Sequence, residues 1–123
     1  MVNAASDASE LDPAIQLLDE CLAVDGASPD AYRQALKSAD ADLFDRFKNG
    51  EPVSTLVQLR ARLVDRLLLT LWSRHDLETA PGVALVAIGG YGRGDLHPYS
   101  DVDILVLLET DQPIAFESEL SAF

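Results

Sequence analysis

Residues 83–108 read VALVAIGGYGRGDLHPYSDVDILVLL and decide the fold of the second half of the chain. Two aliphatic runs, 83–88 and then Val102 with 104–108, are rich in branched residues and predict two strands. Neither run alternates apolar with polar residues, which predicts strands covered on both faces. Only 12 residues separate the first run from Asp101, and Pro98 interrupts them. So short a connection suits a turn with a short helix, and it predicts antiparallel pairing.

Upstream of the first strand, apolar residues recur at helical spacing. The spacing predicts helices over about 10–24, 29–48 and 54–75. Ser28 stands before Pro29, a pair typical of a helix start because the serine oxygen can cap the first amides. The predicted buried residues of the second helix are Tyr32, Leu36, Leu43 and Phe47. The first half of the chain is therefore predicted to be helical.

The third predicted helix has one wide apolar face, built of leucines together with Val64 and Trp72. Its arginines fall mostly off that face, and we expect them to line a solvated side of the helix rather than to bind a substrate. These arginines are Arg60, Arg62, Arg66 and Arg74.

The order of these elements predicts an α+β fold with a mixed sheet. We expect a helical N-terminal segment over residues 1–50 and a second part over residues 51–123, which holds the third helix and the strands. The tail turns helical in character from about Phe116 and ends on Leu120 and Phe123 without a stop signal. We therefore expect the chain to be cut within a longer domain.

Composition limits the function classes. The net charge is −12, from 21 acidic and 9 basic residues, and an acidic surface repels a nucleic-acid backbone. Cys21 is the single cysteine, which fits a reducing compartment. The N-terminus lacks the basic and apolar regions of a signal peptide, and no apolar run is long enough to cross a bilayer. The sequence predicts a cytoplasmic protein that binds neither nucleic acid nor membrane.

The glycine-rich stretch after the first strand predicts a phosphate site. Without side chains at Gly89 and Gly90, backbone N–H groups can approach an anion, and Arg93 adds a fork for phosphate oxygens. A tight turn with a surface arginine explains the same residues. A P-loop is excluded because Gly94-Asp95-Leu96 stands where Gly-Lys-Ser/Thr is needed, and Asp95 also breaks the dinucleotide fingerprint.

Asp101 and Asp103 are two residues apart at the head of the second strand, so their side chains are predicted to share one face. Two neighbouring carboxylates repel each other unless a cation lies between them, and Mg²⁺ prefers such hard oxygen ligands. A solvated strand end is the plainer explanation. Ser100, just before the pair, can contact a phosphate oxygen or cap the strand entry. A phosphate turn followed by metal carboxylates indicates metal-assisted nucleotidyl transfer.

The string GGYGRGDLHPYSDVDILVL resembles the bacterial PII protein uridylyltransferases, also called uridylyl-removing enzymes, of the DNA polymerase β-like nucleotidyltransferase superfamily. The shared pattern is a glycine pair, ten intervening residues and Asp-Val-Asp. The glutamine synthetase adenylyltransferases share the glycine pair and Ser-Asp-x-Asp, but they usually lack Tyr91 and the His97-Pro98-Tyr99 run. The helix over 54–75, with Arg60, Asp65 and Trp72, also resembles the uridylyltransferases, whereas residues 1–50 match weakly.

The resemblance implies transfer of UMP from UTP to a tyrosine of the trimeric PII signalling protein, under control by glutamine in nitrogen regulation. It implies roles for six residues: nucleotide phosphate contacts by Gly89, Gly90, Arg93 and Ser100, and catalytic Mg²⁺ binding by Asp101 and Asp103. Residues 51–123 would be the N-terminal part of a nucleotidyltransferase domain with an incomplete sheet.

Members of that family are several times longer than this chain. They carry a third active-site carboxylate on a later strand, an HD hydrolase domain that removes UMP, and ACT domains, none of which is visible here. We therefore expect an inactive fragment of such an enzyme. Two other hypotheses stay open: a non-catalytic module that only holds a nucleotide, and a glycosyltransferase in which Asp-x-Asp holds a metal on a UDP-sugar. In the latter class the aspartates normally end a strand, whereas here they begin one.

Overall fold

Three long helices precede a strand pair in the computed structural model, which describes residues 12–24, 28–98, 100–109 and 121–123. The elements in chain order are α1 (Pro13–Leu22), α2 (Pro29–Lys48), α3 (Val53–Arg74), β1 (Val83–Ala87), α4 (Gly89–Gly92) and β2 (Ile104–Leu108). This order confirms the predicted α+β class. The helix predicted from about Phe116 lies largely outside the described residues, and the division of the chain at residue 50 remains a prediction.

Local capping sets the starts of the first two helices. The Asp12 carboxylate accepts the N–H of Ala14 at 3.0 Å, and the Ser28 hydroxyl accepts the N–H of Ala31 at 3.3 Å. A proline follows each cap at the first helical position, where its missing N–H costs nothing. The predicted cap at Ser28 is confirmed.

Helices α1, α2 and α3 share one apolar core. Its buried members are Ala14, Ile15, Leu18, Leu22, Ala39, Leu43, Leu56, Leu59 and Leu63. Tyr32 and Leu36 are half-buried at its edge, in line with the prediction. Phe47 is 51% exposed, so its predicted burial is wrong. It lies in the last turn of α2, beyond the point where Leu43 closes the core.

An ion pair network ties the end of α2 to the start of α1. The Arg46 guanidinium donates to both oxygens of Asp12, at 2.9 and 3.0 Å, and also to Glu51. The hydrogen bond to Asp12 and then that to Glu51 raise the pKa of Arg46 above its ordinary value. This cluster lies at the helical end of the molecule and has no described contact with the strand pair.

The two strands pair antiparallel, from Val83 opposite Leu108 to Ala87 opposite Ile104, which confirms the predicted pairing. One face of the pair packs on Trp72 and Leu77. Most of β2 is nevertheless exposed: Ile104, Leu105, Leu107 and Leu108. The predicted coverage of both faces is therefore wrong for the described residues, because an antiparallel pair needs only one packed face.

None of the helices within the described ranges is both long enough and apolar enough for a membrane span.

Candidate functional site

A glycine turn leads directly out of β1. Gly89 has φ +63°, a left-handed conformation that L side chains rarely adopt, and it opens the four-residue helix α4. The first hydrogen bond of α4 runs from the Gly92 N–H to the Ile88 carbonyl at 2.9 Å. The N–H groups of Gly89, Gly90 and Tyr91 come before that bond, so they have no acceptor inside the helix. The backbone therefore presents three donors at the end of β1.

The predicted glycine and aspartate motifs meet in the structure. The Ile88 N–H donates to the Asp103 carbonyl at 3.0 Å, which extends the strand pairing by one residue. Asp103 consequently lies beside Gly89, and a Cβ built on Gly89 would be 3.1 Å from Asp103 Oδ2. A glycine at position 89 thus leaves space for this carboxylate at the edge of the turn.

Asp101 and Asp103 precede β2 rather than opening it. The strand begins at Ile104, and both aspartates are exposed, so the predicted placement at the head of a buried strand is wrong. Neither carboxylate takes part in a hydrogen bond or ion pair with another described residue. Both are therefore open to solvent and to any external cation.

The two other predicted phosphate contacts, Arg93 and Ser100, both follow the glycine turn in the chain. Arg93 is exposed and folds back toward Gly90, since a Cβ on Gly90 would be 3.8 Å from Arg93 Nη2. Gly90 itself keeps an ordinary negative φ, unlike Gly89 and Gly94. Ser100 is exposed, and its N–H donates to the His97 carbonyl at 3.1 Å. The structure thus groups Gly89 with Asp103 and Gly90 with Arg93.

The connection between the strands is anchored to α3, which the sequence did not indicate. Tyr91 and Leu96 are buried against Ala61 and Val64 of that helix. The Tyr91 hydroxyl donates to Asp65, and the Leu96 N–H donates to the Val57 carbonyl. The available signal was the pair Tyr91 and Leu96 within an otherwise largely polar, glycine-rich stretch.

Two of the four arginines of α3 also depart from their predicted solvated role. Arg60 is buried and donates to Asp40 and to the His97 carbonyl. Arg74 donates to the Tyr32 hydroxyl and to the Leu22 carbonyl, so it connects the end of α1 to α3. These side chains stabilise the packing of helices and loop, and neither contacts the glycine turn directly.

The Tyr91–Asp65 bond has a measurable consequence at high pH. Burial, and then the hydrogen bond to the carboxylate, raise the pKa of Tyr91 above its ordinary value of about 10. Above that pH the unfolded chain loses the phenolic proton while the folded chain retains it. The free energy of unfolding should therefore fall as pH rises, by up to about 1.4 kcal/mol per pH unit for this proton.

We expect Tyr91→Phe to lack this contribution and to lose about 1 kcal/mol of stability at neutral pH. Urea unfolding from about pH 7 to about pH 11 measures both effects. Below about pH 9 the profiles of the two chains should be parallel, because the phenol is then protonated in both states. Profiles that stay parallel to the highest pH would contradict the buried hydrogen bond.

Comparison with known proteins assigns this arrangement to a family. Residues 64–122, which span the end of α3, both strands and the glycine turn, match the family model of the nucleotidyltransferase domain. These residues, just under half of the chain, are therefore similar to nucleotidyltransferase domains. The resemblance inferred from the glycine pair and the Asp-Val-Asp motif is confirmed.

Among curated proteins, this chain is similar to enzymes named bifunctional uridylyltransferase/uridylyl-removing enzyme. The one from Stutzerimonas stutzeri (strain A1501) is 43% identical over 93 residues, which is 76% of this chain and 10% of the relative. The one from Azotobacter vinelandii (strain DJ / ATCC BAA-1303) is 39% identical over 102 residues, which is 83% of this chain and 11% of the relative. The chain thus spans about a tenth of the length of these relatives. No solved structure matches it significantly.

The carboxylates of the nucleotidyltransferase motif fit a small divalent cation by donor chemistry. Asp101 and Asp103 supply hard oxygen ligands of the kind that Mg²⁺ prefers, and the bare Gly89 leaves the Asp103 carboxylate accessible. Within the described part of the chain, no group of three or more His, Cys, Asp or Glu side chains could hold a metal ion. An ion bound by these two residues would therefore need further ligands, such as substrate phosphates and water.

Proposed function

We propose that this chain carries part of the active site of a uridylyltransferase, which transfers UMP from UTP to a tyrosine of the PII signalling protein. The observation that carries the proposal is the meeting of Gly89 with the Asp103 carboxylate, because it joins a backbone phosphate site to a metal ligand. The similarity to uridylyltransferases at about 40% identity supports uridylyl transfer in particular.

In this proposal each motif residue has one task. The N–H groups at Gly89 and Gly90 hold phosphate oxygens of the nucleotide, and Arg93 and Ser100 add further contacts to it. Asp101 and Asp103 hold Mg²⁺, which supplies positive charge to the triphosphate when bound.

The transfer itself is a displacement at the α-phosphorus of UTP. The tyrosine oxygen of PII forms a bond to this phosphorus, the bond to the bridging oxygen breaks, and pyrophosphate leaves. The hydroxyl proton passes to a general base, which in this proposal is the third carboxylate that the resemblance places on a later strand, because Asp101 and Asp103 hold the metal. Holding the triphosphate against the glycine turn orients the leaving group for this reaction.

A glutamine synthetase adenylyltransferase-like activity is the second candidate, because that group shares the glycine pair and the Ser100-Asp101-x-Asp103 motif. The two candidates differ in the base of the nucleotide that is transferred, uracil or adenine. The burial of Tyr91 favours the uridylyltransferase, since adenylyltransferases usually lack a tyrosine there. Glutamine control and removal of UMP belong to the proposed whole enzyme, as does a cytoplasmic location.

Nucleotide binding tests the proposal. We expect the purified chain to bind UTP weakly and only with Mg²⁺, more tightly than ATP, in isothermal titration calorimetry. We also expect no incorporation of labelled UMP into PII, because catalysis requires ion, nucleophile and triphosphate to be fixed together and the described residues offer only two metal carboxylates.

Each alternative outcome has a separate meaning. Tighter binding of ATP than of UTP would favour the adenylyltransferase-like activity. Binding of no nucleotide in the presence of Mg²⁺ would exclude both transferases. Labelled UMP on PII would show that these 123 residues already hold a complete site.

A further inference from the structure

A buried arginine connects the helical core to the loop that leads to the aspartates. Arg60 of α3 is 9% exposed although it carries a full charge. Its Nε donates to Asp40 Oδ1 at 2.8 Å and its Nη2 to Asp40 Oδ2 at 3.3 Å, while Nη1 donates to the His97 carbonyl at 3.1 Å. Asp40 belongs to α2, and His97 lies between the two strands. One side chain thus ties three parts of the chain together.

The His97 carbonyl is the point at which the loop turns toward the candidate site. It accepts both the Arg60 guanidinium and the N–H of Ser100, the latter at 3.1 Å. The second bond closes a turn that begins with His97-Pro98, and proline is favoured at that position of a turn. Asp101 is the next residue after Ser100. Fixing this one carbonyl therefore fixes the start of the segment that carries the aspartates.

The aspartate segment has few other restraints. All residues from Ser100 to Asp103 are exposed, and β2 begins only at Ile104. On the strand side, the Ile88 N–H holds the Asp103 carbonyl. Asp101 thus lies between two fixed carbonyls, and Arg60 holds the one on the N-terminal side.

Asp40 determines where the free arm of the guanidinium points. A buried arginine needs a paired anion, and a two-point contact with one carboxylate fixes the plane of its rigid fork. With Nε and Nη2 engaged by Asp40, Nη1 is directed to His97. A lysine could keep the charge but could not hold both partners in this geometry.

We infer that Arg60, oriented by Asp40, is a positioning residue for Asp101 in the metal–nucleotide site. The inference rests on the proposed function of that site. Arg60 touches neither the glycine turn nor the aspartate carboxylates, so it acts through the His97 carbonyl and the turn that Ser100 closes.

Arg46 provides a matched control for this role. It also forms a two-point contact with a carboxylate, that of Asp12, and a further contact with Glu51. Its side chain is largely enclosed, at 23% exposure, but it contacts none of the described residues of the loop between the strands. Arg46→Met and Arg60→Met therefore remove the same kind of group, and only the second removes a contact with the site loop.

The experiment measures binding of Mn²⁺ with UTP by electron paramagnetic resonance, and amide exchange of the Ser100 N–H by NMR. Both are run at a temperature where circular dichroism shows each variant folded. We expect Arg60→Met to raise the Kd of Mn²⁺–UTP by about 10- to 100-fold, because the loss of a group that orients a metal ligand typically weakens metal binding by this factor. We also expect the Ser100 N–H to exchange at least about tenfold faster. Arg46→Met should lower the melting temperature but leave both readouts within about twofold of the unsubstituted chain.

Rescue by Arg60→Lys separates positioning from packing. We expect an intermediate Kd, because the ammonium keeps the charge but loses one of the two partners, and this variant replaces Arg60→Met if the latter does not fold. An unchanged Kd in the folded Arg60 variants would overturn the inference. Equal losses of Mn²⁺–UTP affinity in the Arg46 and Arg60 variants would also overturn it. Absence of Mn²⁺–UTP binding by the unsubstituted chain would instead reject the proposed function, and Ser100 exchange would still show whether Arg60 holds the turn.

Discussion

Asp103→Asn is expected to weaken the Mg²⁺-dependent binding of UTP by at least about 10- to 100-fold, and Asp101→Asn by a similar factor. Each change replaces one of two charged oxygen ligands by a neutral amide, a larger loss than that of a group that only orients a ligand. Calorimetric titration of UTP at fixed Mg²⁺ measures the effect. Without metal the fold should be unaffected or slightly stabilised, because the repulsion between neighbouring carboxylates is reduced.

Asp95→Asn is the matched control for the two aspartate variants. It removes the same charge from the same exposed connection, and Asp95 contacts the turn through its backbone, whose N–H donates to the Gly90 carbonyl. We expect its affinity for Mg²⁺–UTP to stay within about twofold of the unsubstituted chain. Equal losses in all three variants would mean that net charge, rather than ligation by Asp101 and Asp103, determines the affinity.

Gly92→Ala is expected to cost the fold about 3 kcal/mol, the upper end of the range for an overpacked site. A Cβ at this position would lie 2.7 Å from the Ala87 carbonyl oxygen and 3.0 Å from its carbon. Both are backbone atoms at the end of β1, so no side-chain rotation can relieve the overlap. The short helix α4 would have to move away from the strand, and Tyr91, which is packed against α3, would move with it. Urea unfolding measures the loss.

Gly94→Ala separates this overlap from the cost of backbone conformation. Gly94 has φ +80°, but no atom of the other described residues lies within 4 Å of a Cβ placed there. We expect a loss of about 1 kcal/mol from the left-handed conformation alone. If Gly92→Ala cost no more than Gly94→Ala, the close approach of α4 to β1 would not be a constraint on the fold.

The glycines also show how far the sequence alone could lead at the candidate site. The motif placed the turn at the end of the first strand, and the spacing to Asp103 brought turn and carboxylate together. It did not distinguish Gly89, which needs a left-handed φ, from Gly90, which keeps a negative one. Nor did it show that Gly92 is the residue in closest contact with β1. Such distinctions depend on which atoms of other elements face each Cα, and the residue type does not specify them.

Capping and hydrophobic spacing are local, and the sequence by itself determined what depends on them. Ser28 caps α2 by accepting the N–H of Ala31, so the start of this helix could be predicted, whereas α1 begins at Pro13 rather than at the predicted residue 10. The short link between the strands likewise required an antiparallel pair. The family was recognisable because its glycine pair and aspartates lie within one stretch of 15 residues, 89–103.

Only the tertiary structure decided the partners of the charged and aromatic side chains. Arg60 meets the His97 carbonyl 37 residues away, and Tyr91 meets Asp65 26 residues away, so neither contact leaves a trace in local spacing. Helical periodicity placed Arg60 off the apolar face, but it could not show that Asp40 and the site loop cover that position. The sequence pattern likewise could not predict that β2 and Phe47 are exposed. Burial depends on which elements pack over a residue, whereas periodicity shows only which residues share a face.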